Sequence, residues 1–201
     1  MTTIYVTRHG FVDNPRNLFY GPEFALSENG QKQISLLAQD ILTANIRPKT
    51  MLVSPFLRTQ QTAHVIASTL GVTDIRTDVR LREWDVGHWF DRPIAEFYQA
   101  TGYDADPPPE HLPDGIEPLA DLGKRVSESI LGLARACRGD VGMVVSHREA
   151  LVAGLLHFQG NGFSAIHRIP FYRGMVWKFV FDDQDELVEA IQAFDRSIDT
   201  W

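Results

Sequence analysis

Cysteine is almost missing: Cys137 stands alone among 201 residues. One thiol forms no internal disulfide and has no second thiol at metal-ligand spacing. Long apolar runs are missing too. Apolar residues make up 44% of the chain, yet no stretch approaches the ~20 residues needed to cross a bilayer. The opening residues carry no basic segment followed by an apolar one, as an export signal would. Repeats and low-complexity tracts are also lacking. Positive charge is in deficit, with 19 Lys and Arg against 26 Asp and Glu and a net charge of −7. That balance argues against nucleic acid or an anionic membrane as the main partner. It leaves room for a small anion in a locally positive pocket. The expectation is a soluble protein of a reducing, cytoplasmic compartment, with a single domain over residues 1–201. Oligomeric state cannot be read from the chain, and a homodimer is a working assumption.

What is present is an alternation of short β-branched runs and helical patterns, the signature of an α/β fold with a mostly parallel sheet. Residues 4–7 read as a strand that ends at Arg8-His9-Gly10. A helix follows over 27–42, with Ser27 as N-cap and a stripe of Ile34, Leu37, Ala38, Ile41 and Leu42. Residues 51–53 read as a second strand. Ser54-Pro55 then reads as N-cap and first helical residue of a helix running to Leu70, stopped by Gly71. An extended stretch over 75–81 leads to Glu83. Residues 90–118, rich in proline and acids, read as an excursion that could cover a site. A helix over 121–137 precedes a strand over 142–146, then His147 and a helix over 150–158. Residues 174–181 read as a strand, and 187–194 as its hairpin partner.

Strands thus run into Arg8-His9, Ser54-Pro55-Phe56-Leu57-Arg58 and Ser146-His147. In open parallel sheets, ligands bind beyond the carboxyl ends of the strands, so Arg8, His9, Arg58 and His147 are expected to converge. Two guanidiniums and two imidazoles repel one another unless an anion joins them. A phosphate dianion fits, through bidentate charge-assisted bonds to arginine and a helix N-terminus at Arg58. A neutral imidazole can attack phosphorus directly, and His9 is the candidate nucleophile. The leaving oxygen needs a proton, and Glu83 is the candidate acid. The bland alternatives are a surface cation for Arg58, a surface ion pair for Glu83 and a core histidine for His147.

Four segments, Arg8-His9-Gly10, Ser54-Pro55-x-x-Arg58-x-x-Gln61-Thr62-Ala63, Leu81-x-Glu83-x-x-x-Gly87-x-Trp89 and Val145-Ser146-His147, lie in the order and spacing of one family. With them the chain resembles the histidine phosphatase superfamily, the phosphoglycerate mutase-like proteins. The resemblance implies a three-layer α/β/α sandwich, His9 phosphorylated during turnover and Glu83 as proton donor. It also implies Arg8, Arg58 and His147 as phosphate ligands, and no metal or organic cofactor. The chain departs from the pattern at Phe11, Val12 and Pro15, where the family often shows Glu, Thr and Asn. It departs again at Phe90, where an acid is common, and at Arg148, where glycine is common. Asn14, Asn17 and Arg148 are therefore the candidate substrate contacts. Phe11, Tyr20, Trp84, Trp89 and Phe90 would form either an apolar rim or core. The expected activity is hydrolysis of a small phosphomonoester. The alternatives are mutase-type transfer and a non-catalytic phosphate-ligand protein.

Overall fold

The computed structural model describes residues 1–196; the last residues of the expected domain, 197–201, lie outside the described ones. Six strands form one sheet: β1 (Thr2–Arg8), β2 (Thr50–Val53), β3 (Asp74–Thr77), β4 (Val141–Ser146), β5 (Met175–Phe181) and β6 (Leu187–Asp195). Their order is β3-β2-β4-β1-β5-β6. The first four in this order are parallel, and β5 and β6 run antiparallel as a hairpin at one edge. Five helices accompany them: α1 (Glu28–Thr43), α2 (Leu57–Leu70), α3 (Ile94–Thr101), α4 (Leu119–Ala136) and α5 (Arg148–Phe158).

The sheet has an apolar layer on each face, because alternate strand residues point opposite ways. On one side, Ile4, Val6 and Val144 meet Val126 and Ile130 of α4 and Leu151 and Leu155 of α5. On the other, Met51, Val53, Met143 and Val145 meet Ile34, Leu37 and Ile41 of α1 and Ile66 of α2. This is the three-layer α/β/α sandwich. Each of these buried side chains contributes about 1.5–3 kcal/mol by leaving water.

The local signals hold in most places. Ser27 caps α1, its Oγ accepting from the Gly30 amide at 3.0 Å. Gly71 closes α2 with a left-handed φ of 74°. Residues 187–195 form the hairpin strand.

Two readings need correction. Helix α2 starts at Leu57 rather than at Ser54-Pro55, and its N-cap Phe56 makes no side-chain cap bond. The Ser54 hydroxyl is engaged instead by His147 at 2.7 Å. The stretch 75–81 is extended only to Thr77; a 3₁₀ turn over Val79–Leu81 follows, capped by Asp78 accepting from the Arg80 amide. The excursion 90–118 has an element of its own. It holds α3, whose Phe97 is fully buried against Trp84 and Tyr103.

Candidate active site

The site lies where the register of the parallel strands places it. Arg8 pairs with Ser146 and Val53 with Val145, so three chain segments leave the sheet side by side. The ladder extends one residue further. The His9 amide donates to Ser146 O at 3.1 Å and the Ser54 amide to Val145 O at 3.0 Å. His9 and His147 thereby become neighbours, with ring centroids 5.4 Å apart.

His9 is fully buried. Its Nδ1 lies 2.7 Å from Gly10 O. A carbonyl only accepts, so Nδ1 carries the proton and Nε2 keeps the lone pair. Nε2 has no hydrogen-bond partner. Burial, then the Arg58 and Arg8 charges, hold the His9 pKa well below 6.5, so the ring is neutral. Gly10 is needed for packing. A Cβ there would sit 2.7 Å from Ile34 Cγ1 and 2.9 Å from Gly30 O, and would push the His9 segment off α1.

Arg58 is also fully buried. Its Nη1 donates to Gly21 O at 2.8 Å, and its guanidinium lies 4.6 Å from the Tyr20 ring centroid and 4.9 Å from that of Phe56. Stacking between two rings holds the cation without neutralising it. His147 touches Ser54, Arg58 Nη2 at 3.4 Å and Glu83 Oε2 at 3.3 Å. Burial and Arg58 keep it neutral as well.

Glu83 is 17% exposed. Its Oε1 accepts from the Trp84 amide at 3.0 Å. Burial first, then the Glu149 carboxylate, push its pKa from 4.5 up to about 7. A carboxyl in that range can hold a proton at neutral pH and release it. Its loop hangs from α4 through Arg125. That guanidinium donates to the carbonyls of Arg80, Arg82 and Glu83 at 2.6–3.0 Å and pairs with Glu117 at 2.6 Å.

A cavity of about 210 Å³ is lined by Arg8, Arg58, Glu83 and residues from several loops. Asn14 and Asn17 line it, but the Asn14 amide is spent on its own loop: Nδ2 donates to Leu18 O and Oδ1 accepts from the Leu18 amide. Tyr20, Trp84 and Phe90 reach the cavity. Trp89 packs on Phe97 instead, and Phe11 lies under the Arg173 guanidinium. Arg148 is not in the wall. It binds Glu149 through Nη1 and the carbonyls of Ile166, His167 and Ile169 through Nη2, which turns both terminal nitrogens away from the cavity.

Sequence reasoning missed Arg173 and Glu149, which both line the cavity. Arg173 donates to the Tyr20 hydroxyl at 3.0 Å. Its Nε is buried without a partner, as are those of Arg8 and Arg58. No strand end or motif marks it. It precedes an antiparallel strand, where the rule of parallel strand ends does not apply.

One ligand atom each of His9, Glu83 and His147 lie within 4.8 Å of one another, a spacing a metal ion could use. The neighbouring Arg8, Arg58 and Arg173 oppose a cation and favour an anion.

A fold with this topology, and with a neutral, tautomer-fixed histidine among arginines, defines a phosphoryl-handling protein. Residues 4–193 match the model of the histidine phosphatase superfamily (branch 1), and the chain belongs to that family. A probable phosphoglycerate mutase, GpmB of Yersinia pestis, is 31% identical over 163 residues, 75% of this chain and 72% of that protein. Among solved structures, YhfR of Bacillus stearothermophilus superimposes with a TM-score of 0.83 at 20% identity, over 98% of each chain. A mycobacterial glucosyl-3-phosphoglycerate phosphatase, in complex with VO3, gives 0.82 at 18% identity, covering 98% of this chain and 100% of the other. At these identities the structural likeness speaks for the fold. Among the described residues, no helix is long and apolar enough to cross a membrane.

Proposed function

We propose that this chain is a metal-independent phosphomonoesterase acting through a phosphohistidine on His9. One observation carries the reading: His9 Nε2 is buried without a partner beside Glu83, and the Nε atoms of Arg8, Arg58 and Arg173, whose side chains line the cavity with Glu83, are buried without partners too. Unpaired buried donors of this kind are stabilised by an anion that accepts from them. The lone pair they surround is on the one nitrogen that can attack.

The steps balance as follows. His9 Nε2 attacks phosphorus and the ester P–O bond breaks. The leaving oxygen takes the proton from Glu83. Glu83, now a carboxylate, takes a proton from water as that water attacks phosphorus. The N–P bond breaks, and inorganic phosphate leaves. Throughout, the bond from Nδ1–H to Gly10 O steadies the positive charge on the phosphorylated ring. Arg8, Arg58, Arg173 and His147 hold the equatorial oxygens, where charge accumulates. Asn17 touches the rest of the substrate, Asn14 shapes the loop that carries it, and Arg148 braces the site from behind.

The test is release of phosphate from a chromogenic phosphomonoester in the presence of EDTA. Turnover by wild type and none by His9→Ala supports the reading; equal turnover by both ends it. The mutase alternative has its support in the name of the Yersinia relative. It would show as isomerised product without free phosphate. Cytoplasmic placement and lack of a nucleic-acid partner belong to this same proposal, supported by the lone buried Cys137 and the net charge of −7. The homodimer is settled by sedimentation of the purified chain.

A further inference from the structure

The cavity wall around Glu83 carries polar groups that the reaction does not use. Tyr103 is 3% exposed, it lines the cavity, and its hydroxyl has no hydrogen-bond partner. A buried phenol in that state has lost its water bonds without replacement. Glu149 stands in the same wall. One of its oxygens takes Arg148 Nη1 at 3.0 Å, while the side chain keeps 24% exposure. Burial pushes the Glu149 carboxyl up, but Arg148 and Arg8 together hold it below the usual range, so it stays ionised. Glu83, Tyr98, Tyr103 and Glu149 all line this one cavity, and the Glu149 charge pushes the other three towards their protonated forms. Tyr98 and Phe90 add aromatic surface there.

Three kinds of leaving group can be set against this wall. A carboxylate meets a fixed negative charge. A plain alkyl chain leaves the Tyr103 hydroxyl unsatisfied. An ammonium group ion-pairs with Glu149, donates to the Tyr103 oxygen and lies against π faces, which attract cations. The volume of about 210 Å³ is below the range of drug-sized pockets, roughly 300–1,000 Å³, and limits the group to a few carbons.

We propose that Tyr98, Tyr103 and Glu149 form a subsite for an ammonium group, and that the substrate is the phosphomonoester of a small amino alcohol. The inference rests on the phosphatase reading above, and its test keeps the two apart. Purified full chain is given O-phosphoethanolamine, propyl phosphate as neutral isostere, phosphoglycolate as acidic counterpart and p-nitrophenyl phosphate as a general substrate. Wild type should prefer O-phosphoethanolamine over propyl phosphate by about tenfold or more in kcat/KM, with phosphoglycolate last. Glu149→Gln should collapse the ratio of the first two towards one, and Tyr103→Phe should lower it by a smaller factor. Because both members of the ratio share Glu83, a change in its titration cancels. Propyl phosphate matching or beating O-phosphoethanolamine in wild type overturns the proposal, even if no variant folds. So does a ratio that survives Glu149→Gln. Hydrolysis of p-nitrophenyl phosphate without amine preference sinks the subsite alone. No turnover of any of the four sinks the phosphatase reading and the subsite with it.

Discussion

The anion-binding half of the site and the proton-donating half are built from different material. Arg8, His9, Ser54 and His147 continue three adjacent parallel strands and inherit their spacing from the ladder. Glu83 follows a 3₁₀ turn, and its neighbours Phe90, Tyr98 and Tyr103 come from loops and from α3. The first half is fixed by backbone hydrogen bonds deep in the sheet. The second is fixed by side chains, chiefly Arg125 and Trp84. The ends of adjacent strands constrain which residues meet, whereas a loop tethered by side chains can change what it presents.

This contrast can be broken or sharpened by substitution. The largest effect is expected for His9→Ala, a loss in kcat of about 10³-fold or more with an unchanged melting curve, since the covalent route disappears. Retained activity would place the nucleophile elsewhere. Glu83→Gln comes next, with a kcat loss of about 10²–10⁴-fold. In wild type, kcat/KM should fall on the alkaline side with a midpoint near the 7 to which Glu83 is raised, because the acid form is then lost. That limb should vanish in the glutamine variant; a limb that persists there assigns the proton to another group. Arg58→Ala should weaken vanadate inhibition by about 2 kcal/mol or more, roughly 30-fold, since a buried charge-assisted contact is removed.

Arg125→Met should cut kcat by about tenfold, shift the alkaline limb and leave vanadate affinity as it was. It is the sharpest test of the division, because equal losses in both readouts would show the halves to be one unit. The smallest effect concerns stability. His9 and His147 are held neutral in the fold, whereas unfolded histidine titrates near 6.5. Towards pH 5 the unfolded chain gains two histidine protons, while the fold gains one on Glu83, raised to about 7; two groups outweigh one, so net stability should still fall. A thermal melt flat from pH 7 to pH 5 would contradict the burial of two neutral imidazoles.

The same division governs what could be read from sequence. The convergence of Arg8, His9, Arg58 and His147 was legible because it follows from strand order, which tolerates boundary errors. The misplaced start of α2 shows the limit. Ser54-Pro55 has the chemistry of a helix start, but the hydroxyl is shared: it meets a buried imidazole at 2.7 Å and keeps only a long 3.4 Å bond from the Phe56 amide. Glu83 could be named as the candidate acid from the need for a proton donor, but Arg80 and Arg82 offered an equally simple surface ion pair, and its motif tipped the choice. Arg173 and Glu149 were not legible. Their roles depend on an antiparallel edge and on a helix turn whose neighbouring arginine faces away. Asn14 had the right type for a substrate contact, yet its amide is committed to its own loop.

Arg125 has one more implication. A single side chain, rooted in a helix on one face of the sheet, grips the carbonyls of Arg80, Arg82 and Glu83 in the loop of the proposed acid, while the proposed nucleophile His9 answers to strand and glycine packing. Substitutions along α4 that tilt this grip would retune when the reaction gives up its proton and leave untouched how tightly product is held. Such a molecule can alter its working pH and its affinity by separate routes, and relatives that share its nucleophile are free to differ in both.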